Sequence, residues 1–243
     1  MRVFHTVLAG CAIAVAAAHA GPPFASDDPE TTEYGHYEIY LFTSGEKARD
    51  GISGAHGIDF NYGATPDLQL TAVLPVEYER PETGPNLSGV ANIELAAKAR
   101  FPHRESTGWD IAVFPRVFLP SASSAIGERH ASFLLPVWLE KDWSTWSTFG
   151  GGGCTLSRGG GSQDFCTVGW ALTDQILPDI QLGVELVHST ATHKGEHPST
   201  GIGVGLRYDM TENYHLLASA GPGLQNAEET GQYSWYASLL LTF

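Results

Sequence analysis

The chain has 243 residues, of which 27 are Asp or Glu and 13 are Lys or Arg, so its formal net charge is −14. Nucleic-acid surfaces need clustered Lys and Arg against the phosphates, and this acidic balance excludes such a partner. The 28 glycines and the 11% aromatic content favour β structure over helix, and one all-β domain of this length is ordinary.

The first twenty residues predict a secretory signal peptide. A positive start at Arg2, an apolar run and small residues at Ala18 and Ala20 fit that class of segment, which is cleaved after residue 20. The alternative is a lipoprotein site at Cys11, which would leave only a short signal. Beyond residue 20 no run approaches the roughly 20 apolar residues of a membrane helix. A membrane location would therefore require a β-barrel.

Residues 21–35 contain three prolines and clustered acids, which prevent regular structure. We expect an N-terminal periplasmic arm, too short for a folded plug domain. Whether this arm enters a barrel is left open by the sequence.

Beyond the arm the chain alternates between apolar and polar residues in short segments and lacks helical periodicity. This pattern predicts an all-β fold, an antiparallel up-and-down transmembrane β-barrel over residues 36–243. We count about twelve segments, at 36–44, 52–63, 67–79, 89–102, 109–120, 131–142, 144–156, 164–176, 179–190, 200–210, 214–224 and 232–243.

The alternation is clearest in the fourth segment, where Leu95 and Phe101 share one face while Glu94, Lys98 and Arg100 share the other. A soluble sandwich can show this pattern too. Loop lengths favour the barrel, because the connections after odd segments are mostly long and those after even segments are mainly tight turns.

Aromatic residues near both sets of connections predict two interfacial girdles. The turn-side girdle comprises Tyr62, Phe101, Trp109, Trp143, Tyr208, Tyr214 and Phe243, and the loop-side girdle comprises Phe42, Tyr78, Phe118, Phe133, Phe165, Tyr233 and Trp235.

The last segment indicates the closing strand of such a barrel. Alternation places one apolar face toward lipid and a polar face toward the lumen, with Leu240 as the exception on the polar face. We expect the barrel-assembly machinery to recognise this strand. The lipid-facing set is Tyr233, Trp235, Ala237, Leu239, Leu241 and Phe243.

The same alternation predicts a set of charged side chains that line the lumen. They form either a polar pathway with mixed charges or a network of paired charges that fills and stiffens the barrel. Twelve strands lie between the filled and the open barrel sizes, so both interpretations remain. The candidates are Glu38, Asp67, Glu77, Glu94, Lys98, Arg100, Asp110, Arg116, Glu140, Glu185 and Arg207.

Cys154 and Cys166 form an even pair in an exported chain, which predicts a disulfide across the hairpin after the seventh segment. Metal or redox chemistry is the alternative, but the pair lacks Cys-x-x-Cys spacing. His188, His193 and His197 with Glu196 suggest a metal, yet they lie in or beside a polar loop without a helical framework. We therefore expect no metal site, and nothing in the sequence calls for a cofactor.

Some outer-membrane barrels hydrolyse or transfer lipid acyl chains with a Ser and a His. Here His188 and Ser189 are adjacent and point to opposite faces of a strand, and no Gly-x-Ser-x-Gly elbow occurs. We expect no enzyme activity, although a dyad from distant strands would leave a lipid hydrolase or acyltransferase open.

Seven stretches, which span most of the chain after residue 20, share a pattern with one known family. They are 21–24, 27–30, 34–40, 61–70, 149–153, 169–170 and 215–221. Together they resemble a bacterial outer-membrane family named after the MetA pathway of phenol degradation, whose members are called transporters. The resemblance implies an outer-membrane barrel that moves small molecules, with aromatic compounds among the candidates, and it brings no catalytic residues.

Together these patterns predict a passive channel or uptake pore for small solutes in the outer membrane of a Gram-negative bacterium. Its partners would be the lipid bilayer and a small-molecule solute, with aromatic uptake suggested by the resemblance alone. The alternative is a closed barrel that stabilises the envelope or presents loops, and a lipid-modifying enzyme is the third hypothesis.

Overall fold

The computed structural model describes residues 23–102, 104–124, 126, 130–157, 163–192 and 195–243. The predicted signal peptide lies outside these residues. No helix in the described ranges is long and apolar enough to cross a membrane. Both helices, α1 (Arg104–Thr107) and α2 (Ala227–Thr230), have four residues.

Within the described ranges, fourteen strands form one sheet. They are β1 (Tyr37–Ala48), β2 (Gly51–Thr65), β3 (Leu68–Pro81), β4 (Leu87–Val90), β5 (Glu94–Pro102), β6 (Asp110–Val113), β7 (Arg116–Phe118), β8 (Ser132–Trp143), β9 (Trp146–Ser157), β10 (Phe165–Leu177), β11 (Ile180–Ser189), β12 (Ser199–Asp209), β13 (Tyr214–Gln225) and β14 (Tyr233–Thr242).

The sheet closes on itself. Strand β14 pairs antiparallel with β1 from Glu38↔Thr242 to Lys47↔Tyr233, and every other neighbouring pair is antiparallel. Two of the twelve spans each consist of two short strands, β4 with β5 and β6 with β7. The prediction of a closed antiparallel barrel of twelve spans is confirmed, with the last segment as its closing strand.

The two interruptions, at residues 91–93 and 114–115, lie in neighbouring spans of the wall. Pro115, between β6 and β7, has no N–H to donate to a neighbouring strand. The chain after β7 then turns back onto the other broken span, where Leu119 N donates to Ile93 O (2.8 Å) and Ser123 N donates to Val90 O (2.8 Å). This loop therefore covers the free edge of β4.

The barrel wall is apolar outside and charged inside. Leu95 is 47% exposed on the outer surface, whereas Lys98 of the same strand is 4% exposed, and Asp110 and Glu140 are fully buried. A soluble protein shows the opposite distribution, since its apolar side chains fill the core. An apolar outer surface around a charged interior is the distribution expected of a barrel wall that contacts lipid.

The structure explains the Leu240 exception in the closing strand. Leu240 faces the interior and packs with Tyr40 and Leu217 in a buried apolar cluster, with Tyr236 against it. The interior thus contains a small apolar core as well as charges.

The loop-side girdle was predicted partly wrongly. Three of its aromatic residues share a face with interior positions: Phe42 stacks on Tyr236 (ring centroids 6.5 Å apart), Phe118 pairs with Ser132, and Phe165 pairs with Thr155. Aromatic residues fill part of this lumen, and sequence position near a loop does not distinguish the two faces.

Candidate functional site

The N-terminal arm runs through the lumen. The amides of Ala25 and Ser26 donate to the two carboxylate oxygens of Glu185 on β11, at 3.1 and 2.6 Å. The hydroxyl of Ser219 on β13 donates to Pro23 O at 2.6 Å. The wall therefore binds the arm through its backbone, and the question that the sequence left open is answered for residues 23–33.

A second set of polar contacts holds the end of the arm near β1. Thr32 N donates to Gln69 Oε1 at 2.9 Å, and Gln69 Nε2 in turn donates to Asn61 at 2.7 Å. All three side chains are buried. Buried polar groups need such partners. This network therefore fixes the point at which the arm leaves the lumen and the chain continues into β1.

Three wall glycines give the arm room to approach. A Cβ atom at Gly205 would lie 2.5 Å from the Phe24 ring, and one at Gly183 would lie 2.8 Å from it. A Cβ atom at Gly169 would lie 2.4 Å from Ser26 Oγ. Any larger residue at these positions would collide with the arm, so the wall is shaped to receive it.

The arm also supplies anions to two cations of the wall. Asp27 lies 2.9 Å from Lys98 Nζ and 3.5 Å from the guanidinium of Arg116. Asp28 lies 3.9 Å from the same lysine. Arg116 has a wall partner as well, Glu94 at 3.2 Å. The arm thus completes a buried cluster of opposite charges.

Two cavities occupy the lumen on either side of the arm. One, of about 910 Å³, opens toward the turns and termini, where Asp179 and Phe243 line it. The other, of about 530 Å³, opens toward the long loops, where Glu46 and Glu79 line it. Phe24 and Ala25 line both cavities, so this part of the arm lies between them.

The two cavities differ in charge. The turn-side cavity has both anions and cations, and its cations include Lys98, Arg116 and Arg207. The described residues of the loop-side cavity include four glutamates and neither Lys nor Arg. A solute that crosses the lumen would meet an acidic entrance and then a mixed interior.

Basic residues near the loop-side rim are engaged in exposed ion pairs. Lys47 bonds Glu82, and Arg49 bonds Glu228. The hydrogen bond from Lys47 lowers the pKa of the Glu82 carboxyl. Among the described residues, these pairs lie outside the lining of the loop-side cavity.

The structure distributes the predicted lumen residues over several environments. Arg100 and Asp110 form an ion pair, and Glu140 accepts a hydrogen bond from Ser147 at 2.9 Å. The turn-side cavity has Glu38, Glu94, Lys98, Arg116 and Arg207, and the loop-side cavity has Glu77 and Glu185.

Asp67 differs from the expectation that it faces the lumen. It lies exposed in the turn between β2 and β3, because pairing shifts register between Gly63 and Thr65 and ends the strand before it. Strand alternation does not extend into this turn.

Sequence reasoning missed several interior groups. Glu46 and Glu79 line the loop-side cavity, but the first predicted segment ended before Glu46. Ser44 faces the interior, and strand alternation extended by two residues would have predicted the same for Glu46. In the turn-side cavity Asp209 joins Arg207 (2.9 Å) to His215 (2.6 Å), a cluster that no local motif indicates.

Cys154 and Cys166 are directly opposite each other on β9 and β10 and are joined by a disulfide. Both lie on the outward face, next to the loop that includes residues 158–162, which are outside the described ranges. The disulfide ties the two strands at the base of that loop and does not line the lumen.

The histidines in and beside the long loop between β11 and β12 have other partners. His188 bonds Thr200 (2.9 Å) and His197 bonds Glu229 (2.7 Å), while His193 lies outside the described residues. Among the residues that the structure describes, no group of three or more His, Cys, Asp or Glu side chains could hold a metal.

Comparisons with protein families and with curated proteins find no match. Solved structures do match. The COG4313 outer membrane channel from Pseudomonas putida F1 superposes with a TM-score of 0.74 at 14% identity, covering 89% of this chain and 98% of that chain.

Two porin structures match less closely. The KdgM porin gives 0.56 at 14% identity, covering 85% of this chain and 99% of its own, and the NanC porin gives 0.55 at 11%, covering 84% and 98%. At these identities the likeness shows a shared fold, the barrel of outer-membrane proteins.

Proposed function

We propose that this protein is a passive channel for small solutes in the outer membrane of a Gram-negative bacterium. The observation that carries the proposal is the pair of cavities, about 910 and 530 Å³, that share one lumen and meet at a single segment of the arm. The apolar outer wall supports a location in lipid, and the structural neighbours are themselves named as a channel and porins.

Assembly and solute identity are further parts of this proposal. The closing strand β14, with its outward apolar face, is the segment that the barrel-assembly machinery would recognise. Aromatic compounds are candidate solutes because of the sequence resemblance to transporters linked to phenol degradation. The mixed charges of the turn-side cavity support solutes that also have polar groups.

Planar-bilayer recording with the purified, processed protein tests the channel. We expect single-channel current and flux of small solutes into liposomes. Neutral replacements of Lys98, Arg100 and Arg116 should reduce any preference for anions, because these cations face the interior. An unchanged preference would mean that they do not line the path, and the complete absence of current and flux would contradict the channel.

A second candidate function is a closed barrel that presents its long loops. The observation in its favour is the arm, whose contacts with Glu185, Lys98 and Gln69 occupy the middle of the lumen. A barrel that stays closed after the arm is removed would favour this candidate.

A further inference from the structure

We propose that Lys98 and Arg116 form a binding site for the carboxylate group of a solute, and that Asp27 fills this site until the solute displaces the arm. The inference rests on the channel function proposed above. It gives that channel a solute class and a way to open.

The position of Lys98 carries the inference. Its side chain is only 6% exposed, and within the described part of the chain all of its hydrogen-bond and ion-pair partners lie on the arm. They are Asp27 (2.9 Å), Asp28 (3.9 Å) and the Glu30 carbonyl oxygen (3.0 Å). Withdrawal of the arm would therefore remove all of these partners at once and leave the ammonium facing the lumen cavity, where an incoming anion can replace Asp27.

Arg116 makes the site suitable for a carboxylate. Its guanidinium lies within 3.5 Å of Asp27, and a guanidinium can present two parallel donors to a carboxylate. Lys98 Nζ and Arg116 Cζ also lie 5.1 and 4.1 Å from the Phe114 ring centroid. The two cations thus converge on one place, over an apolar ring that fixes their positions.

The other charges on this part of the wall have partners on the wall itself. Arg116 keeps Glu94 at 3.2 Å, and Arg100 is paired with Asp110. Asp59 also lines the cavity, where Asn61 donates to it at 2.9 Å. Among the described cations here, Arg116 also contacts the arm but keeps a wall partner, whereas the polar partners of Lys98 all lie on the arm, so an incoming carboxylate is selected chiefly at Lys98.

Competition couples the solute to opening. A carboxylate that binds only when Asp27 has left stabilises the open arrangement, and the apparent affinity is reduced by the fraction of protein in which the arm is seated. A neutral solute of equal size lacks this effect. Benzoate and benzyl alcohol are therefore the matched probes.

A reversible lock tests the arm. A Cβ atom on Gly169 would lie 2.4 Å from Ser26 Oγ, too close for a nonbonded contact, so pairing Gly169→Cys with Ser26→Cys replaces the collision with a disulfide that holds the arm in place. We expect the oxidised variant to lose benzoate-dependent current and the reduced variant to regain it. Wild type and Ser26→Cys, given the same reductant, control for the native disulfide. Equal current before and after reduction, with the new disulfide shown by mass, would overturn the role of the arm.

Charge variants test the site. Asp27→Asn weakens the arm but keeps both cations, so we expect openings without benzoate and half-maximal opening at a benzoate concentration at least about tenfold lower. Glu33→Gln, on the same arm with an 81% exposed side chain, should respond like the wild type. Lys98→Met removes the carboxylate site together with the ion pairs that hold the arm. We expect its openings not to depend on benzoate.

The outcomes separate the two proposals. A benzoate response that survives in Lys98→Met, or an equal response to benzyl alcohol, would overturn the carboxylate site while current shows that the channel exists. No current from any variant, including Asp27→Asn and the reduced double cysteine variant, would instead overturn the channel function on which the inference rests.

Discussion

At the scale of single residues, Gly205 and Gly203 provide a matched pair. Both face the interior from β12, but a Cβ atom on Gly205 would lie 2.5 Å from the Phe24 ring, whereas one on Gly203 would meet its nearest atom at 3.7 Å. Only the first glycine is required by the arm.

Gly205→Val should therefore displace the arm. Overpacking costs about 1–3 kcal/mol, which would lower the ratio of arm bound in the lumen to arm released roughly 5- to 150-fold. Labelling of Ser26→Cys by a maleimide should be faster in Gly205→Val than in Gly203→Val. Equal labelling rates in the two backgrounds would show that the arm does not depend on this contact.

The side of the wall on which a residue lies was predictable from sequence where strand alternation decides it. Glu94, Lys98 and Arg116 lie on the interior face, as the pattern indicated, because side chains alternate along every strand. Their partner Asp27 was not predictable, since an arm without periodicity has no register from which to infer its neighbours.

At the scale of elements, β14 both closes the barrel and supplies its small apolar core. Leu240 is 2% exposed in contact with Tyr40 and Leu217, while its neighbour Leu239 points outward. The two leucines therefore test different environments of one strand.

Leu240→Ala should lower the free energy of unfolding by about 2–5 kcal/mol, the usual cost of a cavity at a buried leucine. Leu239→Ala should have a smaller effect, because surrounding lipid can fill the space. Urea unfolding of the protein in lipid vesicles measures both. A larger loss for Leu239→Ala would contradict the interior cluster.

The interruptions of the wall show what element prediction missed. The fourth and fifth segments were predicted as continuous strands, but each is broken, at residues 91–93 and 114–115. Pro115 gave a local signal for one break. The other depends on the loop after β7, a nonlocal partner that hydropathy does not reveal.

At the scale of the whole molecule, closure does not require the arm. Strands β1 and β14 seal the barrel by continuous pairing, whereas Tyr34 with Gly63 is the isolated bridge that joins the end of the arm to β2. Inside the lumen the arm is held by hydrogen bonds and ion pairs with wall side chains and by packing of the Phe24 ring against Phe149 and the wall glycines. The barrel is thus closed by strand pairing, whereas the arm is held by a different set of contacts.

Replacing residues 23–32 with a Gly-Ser linker of equal length should leave a folded barrel with a wider path. The linker cannot supply Asp27 or the Phe24 ring, so we expect higher single-channel conductance than in the wild type and fewer closures. Heat-modifiable migration on unheated gels would verify folding, and replacing Glu82, at the rim, with Gln would serve as the control. A folded barrel with wild-type conductance would mean that the arm does not limit the path, and failure to fold would mean that closure depends on the arm after all.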